Sequence, residues 1–115
     1  MIKMYFKPNC ATCQEALKLV KKKTKEKIEL IEYLVATPTE NDLRDVLFML
    51  PGATIENLIR KKEPLYKEKY EGKKLSEKQW FKILVKNPIL IERPIIIKDG
   101  RALIGRPPEK ILEIF

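Results

Sequence analysis

Residues 2–20 read IKMYFKPNCATCQEALKLV, and within this stretch the hydrophobic period changes from two to that of a helix. Ile2, Met4 and Phe6 alternate with Lys3, Tyr5 and Lys7, the pattern of a strand that ends just before Pro8-Asn9-Cys10. Cys13, Ala16, Leu17 and Val20 then follow helical spacing to about Lys23, so Cys10 falls at the junction of strand end and helix start. Ile28 to Tyr33 is a second apolar run of strand length. Strand, helix and strand in that order predict a right-handed crossover between parallel strands.

Further along, Thr37-Pro38-Thr39-Glu40 has the form of a capping box with proline at the first helical position. Leu43, Val46, Leu47 and Leu50 supply one apolar face behind it. Ser76 with Gln79 repeats the capping-box logic, and Trp80, Ile83 and Leu84 form the stripe of another helix ending before Pro88. Between these helices lie Pro51-Gly52, a short helical stretch near Ile55 to Ile59, and a charged segment from Arg60 to Lys74 read as loop. Ile95-Ile96-Ile97 and Ala102-Leu103-Ile104 flank Asp99-Gly100, the dipeptide that best suits a two-residue hairpin turn. After Pro107-Pro108, residues Ile111, Ile114 and Phe115 have the spacing of a terminal helix. The expected order is β-α-β, a helical insertion at about 37–87, then β-β-α. That is an α/β thioredoxin-like layer fold, in one domain spanning residues 1–115.

The 115 residues, 44% of them hydrophobic, can supply one ordinary core. No run approaches the roughly 18 apolar residues of a membrane span, and the N-terminus enters a strand pattern directly, so a cytoplasmic protein is expected. The net charge of +8 favours anionic partners without choosing among them. The short lysine runs at 21–23, 61–62 and 73–74 are interleaved with glutamate and read as solvated surface.

In a reducing compartment, a closely spaced cysteine pair is more often catalytic or metal-binding than a structural staple. Cys10-Ala11-Thr12-Cys13 places both sulfurs on nearly the same side of the first helical turn, where a disulfide can close. Backbone N–H groups and the helix dipole favour the thiolate there. A structural zinc site needs four ligands, whereas the chain has two cysteines and no histidine. Without histidine, the helix terminus and nearby arginines are the means available to activate the nucleophile.

Four separated segments carry a resemblance: Lys7-Pro8-Asn9-Cys10, Leu58-Ile59-Arg60-Lys61-Lys62, Pro88 through Ile95, and Gly105-Arg106-Pro107-Pro108 running on to Leu112-Glu113-Ile114. Together they resemble the arsenate reductase family that couples to glutaredoxin. The resemblance implies Cys10 as nucleophile and Arg60, Arg93 and Arg106 around an oxyanion, with Pro94 as a structural cis proline facing the cysteine. Arginine suits that role because its planar fork holds a tetrahedral oxyanion bidentately and lowers a neighbouring thiol's pKa. Arg60 lies in a lysine-rich segment where a solvated charge is an equal reading; Arg93 and Arg106 stand beside prolines at the ends of apolar segments. Cys13 stands where the reductases commonly have serine, and it offers a resolving thiol. The expected protein is therefore a monomeric thiol-dependent oxidoreductase with no bound cofactor. It would take a small oxyanion as substrate and be reduced by glutathione with glutaredoxin, or by thioredoxin. The same family contains Spx-type regulators that carry a Cys-x-x-Cys pair and bind RNA polymerase, which is the alternative function.

Overall fold

The computed structural model describes all of residues 1–115. Strand β1, Ile2–Phe6, lies inside a four-stranded sheet between β2, Ile28–Glu32, and β3, Ile95–Lys98. It pairs in parallel with β2, Ile2 opposite Ile28, and antiparallel with β3, Met4 opposite Ile96. Helix α1, Ala11–Lys23, connects the two parallel strands, as the change of period requires. Strand β4, Arg101–Ile104, completes the sheet by pairing with β3. The turn between them has φ of +50° at Asp99 and +75° at Gly100, the doubly positive geometry of the two-residue hairpin.

Alternation along the strands sends side chains to two cores. Ile2, Met4, Ile96 and Leu103 face Ala16 and Val20 of α1 together with Ile111 and Ile114. On the opposite face, Ile95 and Ala102, with half-buried Tyr5, Ile97 and Ile104, meet the insertion. Its helices are α2, Glu40–Met49, α3, Pro64–Lys69, and α4, Glu77–Lys86. Leu43 and Val46 from α2 and Trp80, Phe81 and Leu84 from α4 fill that second core. Burying each large apolar side chain there contributes roughly 1.5–3 kcal/mol. The result is the thioredoxin-like α/β arrangement of helix, sheet and helix layers. No helix is long and apolar enough to cross a membrane.

Local readings of the sequence differ from the structure in four places. Helix α2 is capped by Thr39 and Asp42, not by Thr37 and Glu40, and Pro38 is buried just before the cap instead of opening the helix. The motif of threonine followed three residues later by an acid occurs twice, and the register that buries Pro38 ahead of Leu43 prevails. The Arg60–Lys74 segment is not all loop: α3 starts at Pro64, whose missing N–H costs nothing at a first helical position. In α4 the buried stripe runs through Phe81, while Ile83 is half-buried. The C-terminal Pro108–Ile114 forms a 3₁₀-helix, so Ile111 and Ile114, three apart, are buried and Phe115 is exposed.

The insertion is tied to the chain after it by a short backbone ladder. The Arg60 N–H donates to the Leu90 carbonyl at 2.6 Å and the Glu92 N–H donates to the Leu58 carbonyl at 2.8 Å. Ile59 and Ile91, both buried, face each other between these two rungs. This ladder brings Arg60 alongside Glu92 and Arg93.

Candidate active site

Cys10 caps α1 in extended conformation, with φ −102° and ψ 116°. The loop before it is fixed by local hydrogen bonds: the Cys10 N–H donates to the Lys7 carbonyl at 3.1 Å, and the Gln14 side-chain amide donates to the Pro8 carbonyl at 2.6 Å. No acidic residue occupies the first turn of α1, while Lys21, Lys22 and Lys23 fill its last turn. The positive end of the helix dipole is thus left to the sulfur.

Arg106 reaches that sulfur directly. Its Nη2 donates to Cys10 Sγ at 3.7 Å, its Nη1 to Thr12 Oγ1 at 3.4 Å, and its Nε to the Arg93 carbonyl at 2.7 Å. The Arg93–Pro94 and Arg106–Pro107 peptide bonds are both cis, the first as the resemblance implied and the second unforeseen. Gly105 lets the two segments meet. A Cβ there would lie 2.8 Å from Ile111 Cγ2 and 2.9 Å from Pro94 Cγ, too close for any side chain. Its N–H donates to the Pro94 carbonyl at 2.9 Å.

Arg93 is buried at 5% exposure, unusual for arginine and held by polar partners. Its Nη1 donates to Tyr33 Oη at 3.4 Å and to the Ile89 carbonyl at 3.5 Å, and the Tyr33 hydroxyl in turn donates to the Ile91 carbonyl at 3.3 Å. Arg93 Nε is buried with no hydrogen-bond partner. Arg60 joins the group through two carboxylates: its Nε donates to Glu63 Oε2 at 2.9 Å, and its Nη1 lies 3.8 Å from Glu92 Oε1. Glu63 Oε2 also lies 3.9 Å from Arg93 Nη1.

The two thiols are electrostatically unlike. Burial alone would raise Cys10, but hydrogen bonding from the Cys13 thiol and N–H, the Arg93 guanidinium and the charge of Arg106 outweigh it and bring the pKa down to about 7. Cys13 is buried, and that burial together with the neighbouring Cys10 thiolate pushes its pKa up to about 12, against weaker opposition from the Lys7 backbone and Arg93. The pair therefore ionises at Cys10 while Cys13 keeps its proton.

Arg106 thus bonds both the Cys10 sulfur and the Arg93 backbone, Cys13 lies one turn behind Cys10 on α1, and Arg60 is linked to Arg93 through Glu63 and lies beside Glu92. The sequence reading did not single out Glu63, Glu92, Tyr33 or Thr12. Glu63 could have been noticed as an acid three residues after Arg60. Tyr33 carries no local signal, because its partners are nearly sixty residues away. No three histidine, cysteine or acidic side chains gather in a way that could hold a metal ion.

The model of the family described as the ArsC family matches residues 5–114. The chain belongs to the ArsC family. Among ArsC relatives, it is 35% identical over 112 residues to an arsenate reductase of Haemophilus influenzae, covering 96% of each chain. It is 41% identical over 114 residues to the uncharacterized protein YfgD of Escherichia coli, covering 98% of this chain and 95% of that one. An arsenate reductase structure from Vibrio cholerae superposes with a TM-score of 0.92 at 35% identity, covering 99% of this chain and 97% of that one. Membership of the ArsC family supports a thiol-dependent oxidoreductase.

Proposed function

We propose that the protein reduces a tetrahedral oxyanion of the arsenate type through a covalent adduct on Cys10, with Arg60, Arg93 and Arg106 holding the oxyanion and Cys13 as resolving thiol. The observation that carries this reading is Arg106: one guanidinium bonds both the Cys10 sulfur at 3.7 Å and the Arg93 carbonyl at 2.7 Å, tying an ionisable nucleophile to the backbone of a buried arginine. A nucleophile with a pKa near 7 beside preorganised donors is what attack on an anionic centre needs.

In the first step the Cys10 thiolate bonds to arsenic, and one arsenate oxygen takes up protons and leaves as water. A second thiol then attacks the Cys10 sulfur. A disulfide forms, the sulfur–arsenic bond breaks with its electron pair left on arsenic, and arsenite departs; two thiols are oxidised and arsenic gains their two electrons. Cys13 suits the second step because it lies one helical turn from Cys10 on the same face of α1, and forming the adduct removes the thiolate charge that helps hold its proton. Glutathione with glutaredoxin, or thioredoxin, then reduces the disulfide. The chemistry uses thiols only, so the proposal includes no bound cofactor.

Arsenate turnover with each thiol donor is the direct test. Arg93→Ala or Arg106→Ala should lower the rate roughly 10²-fold or more, the scale for losing a positioned charge-stabilising donor. Lysine should restore only part, because a point charge does not replace the planar fork. After peroxide oxidation, mass spectrometry should find the disulfide within one chain, between Cys10 and Cys13. Folded alanine variants with unchanged rate and oxyanion affinity would overturn the oxyanion site. Absence of turnover with any donor, together with binding to RNA polymerase, would replace the enzyme by the regulator.

A further inference from the structure

Glu63 stands at the N-cap position of α3, yet its carboxylate makes no capping hydrogen bond. It turns to the arginines instead, accepting from Arg60 Nε at 2.9 Å and lying 3.9 Å from Arg93 Nη1. All three side chains are largely withdrawn from water, at 18%, 19% and 6% exposure for Arg60, Glu63 and Arg93. A carboxylate therefore occupies the place where two of the three guanidiniums converge. With Glu92 beside Arg60, three cations face two carboxylates, and the cluster carries one surplus positive charge before Cys10 ionises.

We propose that Glu63 is the specificity-determining residue of this site, a tethered anion that competes with incoming anions for Arg60 Nε and Arg93 Nη1. The proposal rests on the oxyanion reading above. A monoanion that displaces the carboxylate exchanges one negative charge for another. It must also overcome the high local concentration that tethering gives Glu63. A tetrahedral dianion brings twice the charge and several acceptor oxygens to planar donor forks, so the exchange favours it. Glu63 thereby rejects chloride, nitrate and carboxylates while admitting sulfate-like and arsenate-like dianions.

The experiment measures protection of Cys10 from iodoacetamide at fixed pH by sulfate and by nitrate, in the wild type, Glu63→Gln and Glu63→Ala. Glutamine keeps the shape of the side chain without its charge, and alanine removes the side-chain contact altogether; circular dichroism checks folding of both. Sulfate should protect the wild type, and its apparent Kd should tighten roughly tenfold in both variants, the effect of freeing one charge-assisted hydrogen-bond donor set. Nitrate protection should improve by a larger factor, narrowing the sulfate-to-nitrate preference. A carboxylate that merely props Arg60 predicts the opposite, weaker sulfate binding once it is gone. Protected wild type with unchanged or weaker binding in folded variants overturns the role of Glu63 alone. If sulfate protects none of the three proteins while Cys10 stays reactive, the oxyanion reading falls and this proposal with it.

Discussion

At Cys10 the burial that disfavours a charged sulfur is overcome by donors that arrive from three parts of the chain: Cys13, Arg93 and Arg106. Only the thiolate alkylates, so the reaction with iodoacetamide should rise with pH through about 7 and level off above it, while Cys13 remains nearly inert over that range. Arg106→Ala should move the midpoint upward, toward the ~8.5 of an ordinary cysteine, because the guanidinium that bonds the sulfur is lost. An unchanged midpoint in a folded variant would show that the helix end, Cys13 and Arg93 suffice. Cys10 was legible at a local landmark, the end of a strand pattern, whereas Arg93 and Arg106 were singled out by the family resemblance, with the prolines beside them as support. Glu63 was not, since nothing in a lysine-rich run shows which acid will turn inward toward a buried arginine.

Among the elements, the hairpin of β3 and β4 was the easiest to read, since Asp99-Gly100 encodes its own backbone geometry. Helix α3 was hidden: six residues of mixed charge have no room for an apolar period, and only Pro64 marks the start. The α2 cap was ambiguous because two overlapping motifs compete, and tertiary burial of Pro38 decides between them. Where β4 runs into the terminal 3₁₀-helix, packing tolerates no side chain at residue 105. Gly105→Ala should destabilise the fold by roughly 1–3 kcal/mol in urea titrations, the range for overpacking a filled core. It should also slow alkylation of Cys10, because Arg106 is the next residue. Ser76→Ala, which removes one half of the α4 capping box, should cost about 1 kcal/mol and leave Cys10 reactivity untouched. Loss of stability without loss of reactivity in Gly105→Ala would separate Gly105 from the site.

Across the whole molecule the site is divided between the two cores. Cys10 and Arg106 belong to the layer of α1 and the terminal helix, whereas Arg60 and Glu63 belong to the insertion. The insertion meets the site through the two rungs from Arg60 to Leu90 and from Leu58 to Glu92, the Arg60–Glu92 and Glu63–Arg93 pairs, and the shared core of Leu58, Ile59, Leu90 and Ile91. Native-state hydrogen exchange should therefore show the Arg60 and Glu92 amides opening together, at lower free energy than the β1 amides in the middle of the sheet. Sulfate should slow both; independent exchange of the two amides would argue against a shared opening. When the rungs, the ion pairs and the packing of Leu58 and Ile59 against Leu90 and Ile91 open together, the thiol keeps Arg106 and the helix end but loses Arg60 and Glu63. On the role proposed for Glu63, the choice of anion lasts only while this seam stays closed, so the sulfate-to-nitrate preference should narrow on warming, before the protein melts.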